Sequence, residues 1–203
     1  MSFFKKLFGS KEKPVVYVVS GLPRSGTSMM MNMLEAGGIP PMIDEIREAD
    51  GDNPQGYYEF ERVKQLDKGD SSWVAEAVDK VVKVISALLK HLPAEYQYKV
   101  ILIRRNMDEI LASQRKMLIN RGEDSSKMDD SQMAELFEKH LAATENWLQA
   151  QDNFQVLYVH YSDILADPKT EAQKINLFLG GQLDVVAMAE QVDPTLYRNK
   201  QVG

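Results

Sequence analysis

The chain has 203 residues, of which 44% are hydrophobic and 27% are charged, with a net charge of −6 and no cysteine. This length suits one domain, and the acidic balance and absence of a membrane-length apolar run argue against a nucleic-acid-binding or membrane-spanning protein. Disulfides, a thiol nucleophile and a cysteine metal site are excluded, and the three histidines lack the spacing of metal ligands, so we expect no metal centre.

The N-terminal residues 1–14 are predicted to form a short basic-aromatic leader, followed by a single domain over residues 15–203. Within the leader, residues 3–8 (FFKKLF) are suited to weak contact with an anionic membrane surface but are too few for firm anchoring. A frayed or locally packed N-terminus is the alternative that we favour. The leader lacks the long apolar core of a signal peptide, so a cytoplasmic protein is expected.

Residues 15–28 (VVYVVSGLPRSGTS) are typical of a buried strand, a glycine-bounded turn and the start of a helix. This arrangement points backbone N–H groups and the positive end of a helix dipole at one anion. Gly21, Gly26 and Ser28 fit the nucleotide-triphosphate pattern G-x-x-x-x-G-K-[ST], but Thr27 stands at the lysine position and the basic residue is Arg24. The turn is therefore predicted to bind phosphate, but not in the manner of a Walker-type loop.

Strand-like and helix-like segments alternate along the rest of the chain. They are a helix over 29–35 closed by glycines, a loop over 39–56, a segment over 79–85 that suits either a helix or a strand, a strand over 98–104, a helix over 107–120, a polar stretch over 121–130, a helix that Ser131 precedes and that reaches about Gln151, a strand over 155–160 and a helix over 168–179. This alternation predicts an α/β fold in which a parallel β-sheet is flanked by helices. Ligands of such sheets bind beyond the carboxyl ends of the strands.

Three segments in this order resemble the motifs of sulfotransferases. Residues 23–28 (PRSGTS) resemble the 5′-phosphosulfate loop of that family, and residues 103–109 (IRRNMDE) with Ser113 resemble its 3′-phosphate motif. Residues 161–168 (YSDILADP), continuing to Gly180, resemble its Tyr-Glu-Asp-Leu…Pro…Phe-Leu-Gly segment. The resemblance implies a P-loop-NTPase-like sulfotransferase fold, with 3′-phosphoadenosine 5′-phosphosulfate (PAPS) as the sulfuryl donor and no metal requirement.

PAPS carries two separated anionic groups, so two anion sites are required. The phosphosulfate is assigned to the turn, and the residues concerned are Arg24, Ser25, Gly26, Thr27 and Ser28. The resemblance assigns the 3′-phosphate to Arg105 and Ser113, although Ser113 lies two turns into the following helix. Arg104 is the alternative to Arg105, because a slip of one residue would exchange their roles.

Residues 83–93 resemble the Lys-Thr-His…Leu-Pro strand of cytosolic sulfotransferases, which favours a strand for the ambiguous segment. By this resemblance Lys83 matches the lysine that contacts the bridging oxygen. The catalytic histidine of those enzymes corresponds to Ile85 here, and we interpret His91 as structural.

The proton acceptor must therefore come from elsewhere, and a carboxylate is the natural substitute. We favour Glu59 as the base, then Glu45, which follows the first helix as the glutamate does in other sulfotransferase branches, and Asp44 third. The alternative is that each is a solvated loop acid.

The predicted function is transfer of a sulfuryl group to a hydroxyl or amine of a small-molecule, carbohydrate, lipid or peptide acceptor. Residues 39–62 and 121–130 are expected to shape the acceptor pocket. The tail lacks a glycine-rich segment that closes over the cofactor in cytosolic members, and Arg198 and Lys200 are interpreted as solvated charges rather than substitutes. Two other functions remain open: a catalytically idle PAPS-binding protein, and a P-loop small-molecule kinase.

Overall fold

A single parallel sheet organises the protein, whose computed structural model describes residues 13–44, 56–120, 122–123 and 129–193. Its strands are β1 (Val15–Gly21), β2 (Val81–Lys83), β3 (Gln97–Arg104) and β4 (Phe154–His160), arranged in the order β2-β1-β3-β4. Gly21 pairs with Ile103, and Arg104 pairs with His160. The segments that follow these three strands therefore leave the sheet at one edge, with the end of β2 close by, since Lys83 pairs with Val19.

Helices flank this sheet in the described part of the chain. The α-helices are α1 (Thr27–Ala36), α2 (Met107–Asn120), α3 (Asp130–Gln149), α4 (Tyr161–Ala166), α5 (Pro168–Leu179) and α6 (Val185–Glu190), and 3₁₀ helices span Glu61–Lys68, Ser72–Ala77 and Ser86–His91. None of these helices is long and apolar enough to cross a membrane.

The central strands β1 and β3 are buried on both faces over most of their length, because each face of the sheet is covered. On one face Val18, Val100 and Leu102 pack with Trp73 and with residues of α3. The opposite face carries alternate strand residues that pack against α1, α4, α5 and α6. Such two-sided burial explains why β1 and β3 are largely continuous apolar runs, whereas the edge strand β4 has exposed residues.

The structure differs from the predicted elements in a few places. The ambiguous segment is a strand, β2, so its helical interpretation is wrong. The third helix begins two residues earlier than expected, because Asp129 rather than Ser131 caps it. The Asp129 side chain accepts a hydrogen bond from the Ser131 backbone N–H. The short helices α4 and α6 were not predicted, since each has only six residues and too little sequence to show a period.

Several predicted features lie outside the described residues. They are the basic-aromatic stretch 3–8, Glu45, most of the loop 39–56, the middle of the polar stretch 121–130, Arg198 and Lys200.

Candidate active site

The turn between β1 and α1 has the geometry of an anion cradle. The Ser25 N–H donates to the carbonyl of Leu22 over 3.2 Å, which closes the turn. Gly26, with φ 106°, is the N-cap residue of α1, and the helix has no side-chain cap and no acidic residue in its first turn. The first N–H groups of a helix lack intrahelical acceptors, so this uncapped end attracts a negative charge.

Arg24, Arg105 and Ser113, which the sequence assigns to two anion sites, meet at this turn. The Arg24 Nε donates to the Ser113 Oγ over 2.9 Å, and the Arg105 Nη1 donates to the backbone oxygen of Arg24 over 3.0 Å. Ser113 is a buried residue of α2. Two turns of helix therefore bring Ser113 back over the turn, a contact that helix periodicity alone did not predict.

The two adjacent arginines point in different directions. The Arg104 guanidinium forms an ion pair with Glu145 on α3 and lies 4.9 Å from the centre of the Tyr158 ring. Arg105 instead faces the turn, with its side chain only 9% exposed. Of the two alternatives, Arg105 is the one whose side chain contacts the predicted anion cradle.

Lys83 approaches the turn from the end of β2. Its Nζ donates to the backbone oxygen of Tyr57, and the Ser28 Oγ lies 3.5 Å from the same oxygen. Lys83 and Ser28, which come from different elements, thus share one acceptor. The segment 56–60, which we call the strap, passes across this edge and is tied to α1 where the Tyr58 hydroxyl donates to Glu35 over 2.6 Å.

The described candidate bases both lie at or beside the strap. Glu59 is 20% exposed and pairs with the Lys64 Nζ at 3.2 Å, and its backbone oxygen accepts the Asp44 N–H. The Asp44 side chain accepts the Glu61 N–H and so supports the start of a 3₁₀ helix. Glu59 therefore lies two residues from the carbonyl that Lys83 contacts, whereas Asp44 already has a local structural role.

The position matched to the family histidine is occupied by a solvent-exposed apolar side chain. Ile85 is 46% exposed and precedes the 3₁₀ helix Ser86–His91, of which His91 is the last residue. Within the described residues, no group of three or more histidines and carboxylates is placed to hold a metal ion.

A model of the family described as a sulfotransferase domain matches residues 16–201 of the chain. The chain belongs to the sulfotransferase family. Sulfotransferase 1C2 from Rattus norvegicus is 40% identical over 40 residues, which is 20% of this chain and only 14% of that protein's length.

Solved structures confirm the fold of this chain. The sulfotransferase domain of the Synechococcus PCC 7002 olefin synthase superposes with a TM-score of 0.55 at 16% identity, covering 96% of this chain and 91% of that one. A sulfotransferase from Alicyclobacillus acidocaldarius gives 0.53 at 15% identity, with 89% and 87% covered. The sulfotransferase domain from the curacin biosynthetic pathway gives 0.52 at 15% identity, with 91% and 80% covered. The predicted parallel α/β architecture of P-loop-like sulfotransferases is therefore correct.

Sequence reasoning missed three contributors to this site. Tyr57 contributes its backbone oxygen, which every residue type carries and which a sequence motif therefore cannot predict. Glu109 pairs with Arg105 over 2.9 Å, and its position four residues later on α2 was the signal that could have found it. Tyr161, quoted in the third motif without a role, places its ring 4.3 Å from the Arg105 guanidinium.

Proposed function

We propose that this sulfotransferase moves the sulfuryl group of PAPS to a hydroxyl or amine of an acceptor. When bound, PAPS supplies an activated sulfur: the acceptor atom bonds to sulfur as the bond to the bridging oxygen breaks, and 3′-phosphoadenosine 5′-phosphate (PAP) leaves. The observation that carries the proposal is the meeting of Arg24, Arg105 and Lys83 at the uncapped end of α1. Cations and helix N–H groups at one edge suit a ligand with several negative charges.

The residues at this edge fit such a ligand. The Ser25 Oγ is buried and lacks a hydrogen-bond partner among the described residues, and a buried hydroxyl in that state indicates a missing polar neighbour. In the proposal the N–H groups of Gly26, Thr27 and Ser28 hold the 5′ end with Arg24. Arg105 and Ser113 hold the 3′-phosphate, because Arg105 follows β3, Ser113 lies on α2 and both side chains contact Arg24 of the turn.

Lys83 and Glu59 are proposed to carry the chemistry. Negative charge grows on the bridging oxygen as its bond to sulfur breaks, and a preplaced ammonium such as Lys83 stabilises it. Glu59 accepts the proton that the acceptor loses, which a positioned base accelerates by about 10²–10⁴-fold. Glu45 remains the second candidate for this role. No metal is required, since the three cations and the helix end supply the charge compensation.

Calorimetric titration of PAP, with ATP for comparison, tests the cofactor assignment. We expect PAP to bind without Mg²⁺ and more tightly than ATP. Arg105→Ala should lower PAP affinity by about ten- to hundred-fold, since a hydrogen bond to a charged group contributes about 1.5–3 kcal/mol. Arg104→Ala is the matched control and should leave the affinity unchanged. Absence of PAP binding, or Mg²⁺-dependent turnover of ATP, would favour the kinase interpretation instead.

The second candidate function is a PAPS-binding protein that performs no transfer. The exposed Ile85 at the position of the family histidine favours it, because that position supplies no proton acceptor. Incubation of the wild-type protein with PAPS and a panel of phenols, sugars, amines, lipids and peptides separates the two functions. Release of PAP with any acceptor above the acceptor-free rate supports the enzyme, and binding without release across the panel supports the idle protein.

A cytoplasmic location remains a prediction, which fractionation of the producing cells would check.

A further inference from the structure

Arg105 is held on three sides inside the protein. Its Nε donates to the Glu109 carboxylate over 2.9 Å, and both side chains are only 9% exposed. Its guanidinium lies 4.3 Å from the centre of the Tyr161 ring, and its Nη1 donates to the Arg24 backbone oxygen. We call Arg105, Glu109 and Tyr161 the clamp. Its members come from three elements, the segment after β3, α2 and α4.

The clamp acts on a backbone that needs support. Arg24 has φ 68°, the left-handed region that non-glycine residues adopt at a cost of about 1–2 kcal/mol. A residue persists in such a conformation only when its surroundings enforce it. Here the Arg105 guanidinium donates to the Arg24 carbonyl, and the Arg24 side chain donates to the Ser113 hydroxyl.

The same clamp also limits the space around Gly26, the N-cap residue of α1. A Cβ atom built on Gly26 would lie 2.5 Å from the Tyr161 ring, so the ring rests directly on the turn. Tyr161 thus contacts the turn with its ring edge while it packs against Arg105. One rigid aromatic ring therefore connects the arginine of the 3′-phosphate motif to the start of the 5′-phosphosulfate helix.

We propose that Glu109 and Tyr161 are positioning residues that hold Arg105 against the Arg24 carbonyl, so that both anion sites are formed before the ligand arrives. Glu109 offsets the charge of a buried arginine and fixes its orientation through Nε. Preformed sites bind more tightly because the ligand does not have to order them. The inference rests on the proposed PAPS-binding function for its ligand, but the positioning itself is a property of the free protein.

A double-mutant cycle on PAP affinity separates positioning from a general effect on folding. Glu109→Met should lower PAP affinity by about ten-fold, whereas Glu109→Gln, which keeps an acceptor for Nε, should remain within about three-fold of the wild type. In an Arg105→Met background, Glu109→Met should cause no further loss, because Glu109 acts only through Arg105. Equal losses in both backgrounds would show that Glu109 acts on the fold and would overturn the proposal.

Amide hydrogen exchange of the free protein gives a second readout that needs no ligand. Glu109→Met and Tyr161→Leu should speed exchange at residues 24–28 and leave the amides of β4 unchanged, while Tyr161→Phe should match the wild type. Unchanged exchange at residues 24–28 in both disruptive variants would refute the clamp. If wild-type protein binds no PAP but exchange rises as expected, the proposed function fails and the clamp stands.

Discussion

Replacing Gly26 by alanine tests whether the Tyr161 ring limits the turn. The added methyl group would lie 2.5 Å from one carbon of that ring and 2.8 Å from another. Tyr161 cannot easily retreat, because it is buried and packs against Arg105. Alanine at φ 106° also pays the left-handed penalty of about 1–2 kcal/mol. An overpacked contact adds about 1–3 kcal/mol, so Gly26→Ala should reduce stability by about 2–5 kcal/mol.

Gly38 provides a matched control for the backbone part of this effect. Its φ of 103° is nearly the same, but nothing lies within 4 Å of a Cβ built there. Gly38→Ala should therefore carry the left-handed penalty alone, about 1–2 kcal/mol. The difference between the two variants isolates the contact with Tyr161.

Thermal unfolding is the assay, because in a protein of this size each kcal/mol lowers Tm by about 2–4 °C. We expect Gly26→Ala to have a lower Tm than Gly38→Ala. The difference in Tm should disappear when each change is made separately in a Tyr161→Leu background. Equal Tm values for Gly26→Ala and Gly38→Ala in the wild-type background would refute the steric argument.

Three further expectations concern the chemistry and the pH response. Glu59→Gln should keep PAP affinity and lose about 10²–10⁴-fold in turnover. Glu61 pairs with the same Lys64, so Glu61→Gln is the control and should keep turnover. Equal losses of turnover in the two variants would implicate the ion pairs with Lys64 rather than a catalytic base. Lys83→Met should reduce turnover by about 10²–10³-fold, because it removes a hydrogen-bond donor that stabilises the transition state. Lys80→Met is the control and should keep turnover. Full activity of Lys83→Met would show that Lys83 has no part in the mechanism. Burial, and then the charge of Lys90, lower the pKa of His140, so the unfolded chain binds the proton more readily and the imidazole contributes stability that is lost as pH falls below about 6.5. Tm measured from pH 7.5 to 5 should fall more steeply for wild type than for His140→Gln, and parallel curves would contradict this.

The sheet was predictable because its central strands are buried on both faces. Residues 100–103 are apolar without interruption, and helices begin at clear signals such as Pro168. The helix cap at Asp129 was missed, since Asp129, Asp130 and Ser131 are adjacent and each residue type is a good N-cap. Local sequence does not decide between neighbouring caps, which depend on where the helix packs.

The site was predictable where a motif places side chains and unpredictable where contacts are made across the fold. The choice between Arg104 and Arg105 illustrates the limit, because both follow the same apolar strand. The structure distinguishes them through partners far along the chain: Glu145 on α3 for Arg104, and the Arg24 carbonyl for Arg105. Neither partner is visible from residues 103–109.

The cations of the proposed site share a property that bears on affinity. Arg24 donates to the Ser113 hydroxyl, Arg105 to the Glu109 carboxylate and Lys83 to the Tyr57 carbonyl. Cations in poorly solvated positions need such oxygen partners, because an unpaired buried charge is strongly destabilising. When a phosphate binds, its oxygens can replace protein oxygens that already accept hydrogen bonds from these cations. The net gain in binding free energy is therefore smaller than it would be for cations without such partners. The Lys83 ammonium has three N–H donors, and the Tyr57 carbonyl of the strap accepts from it. The position of the strap therefore helps to set where Lys83 meets a ligand, which links the acceptor side of the site to its chemistry.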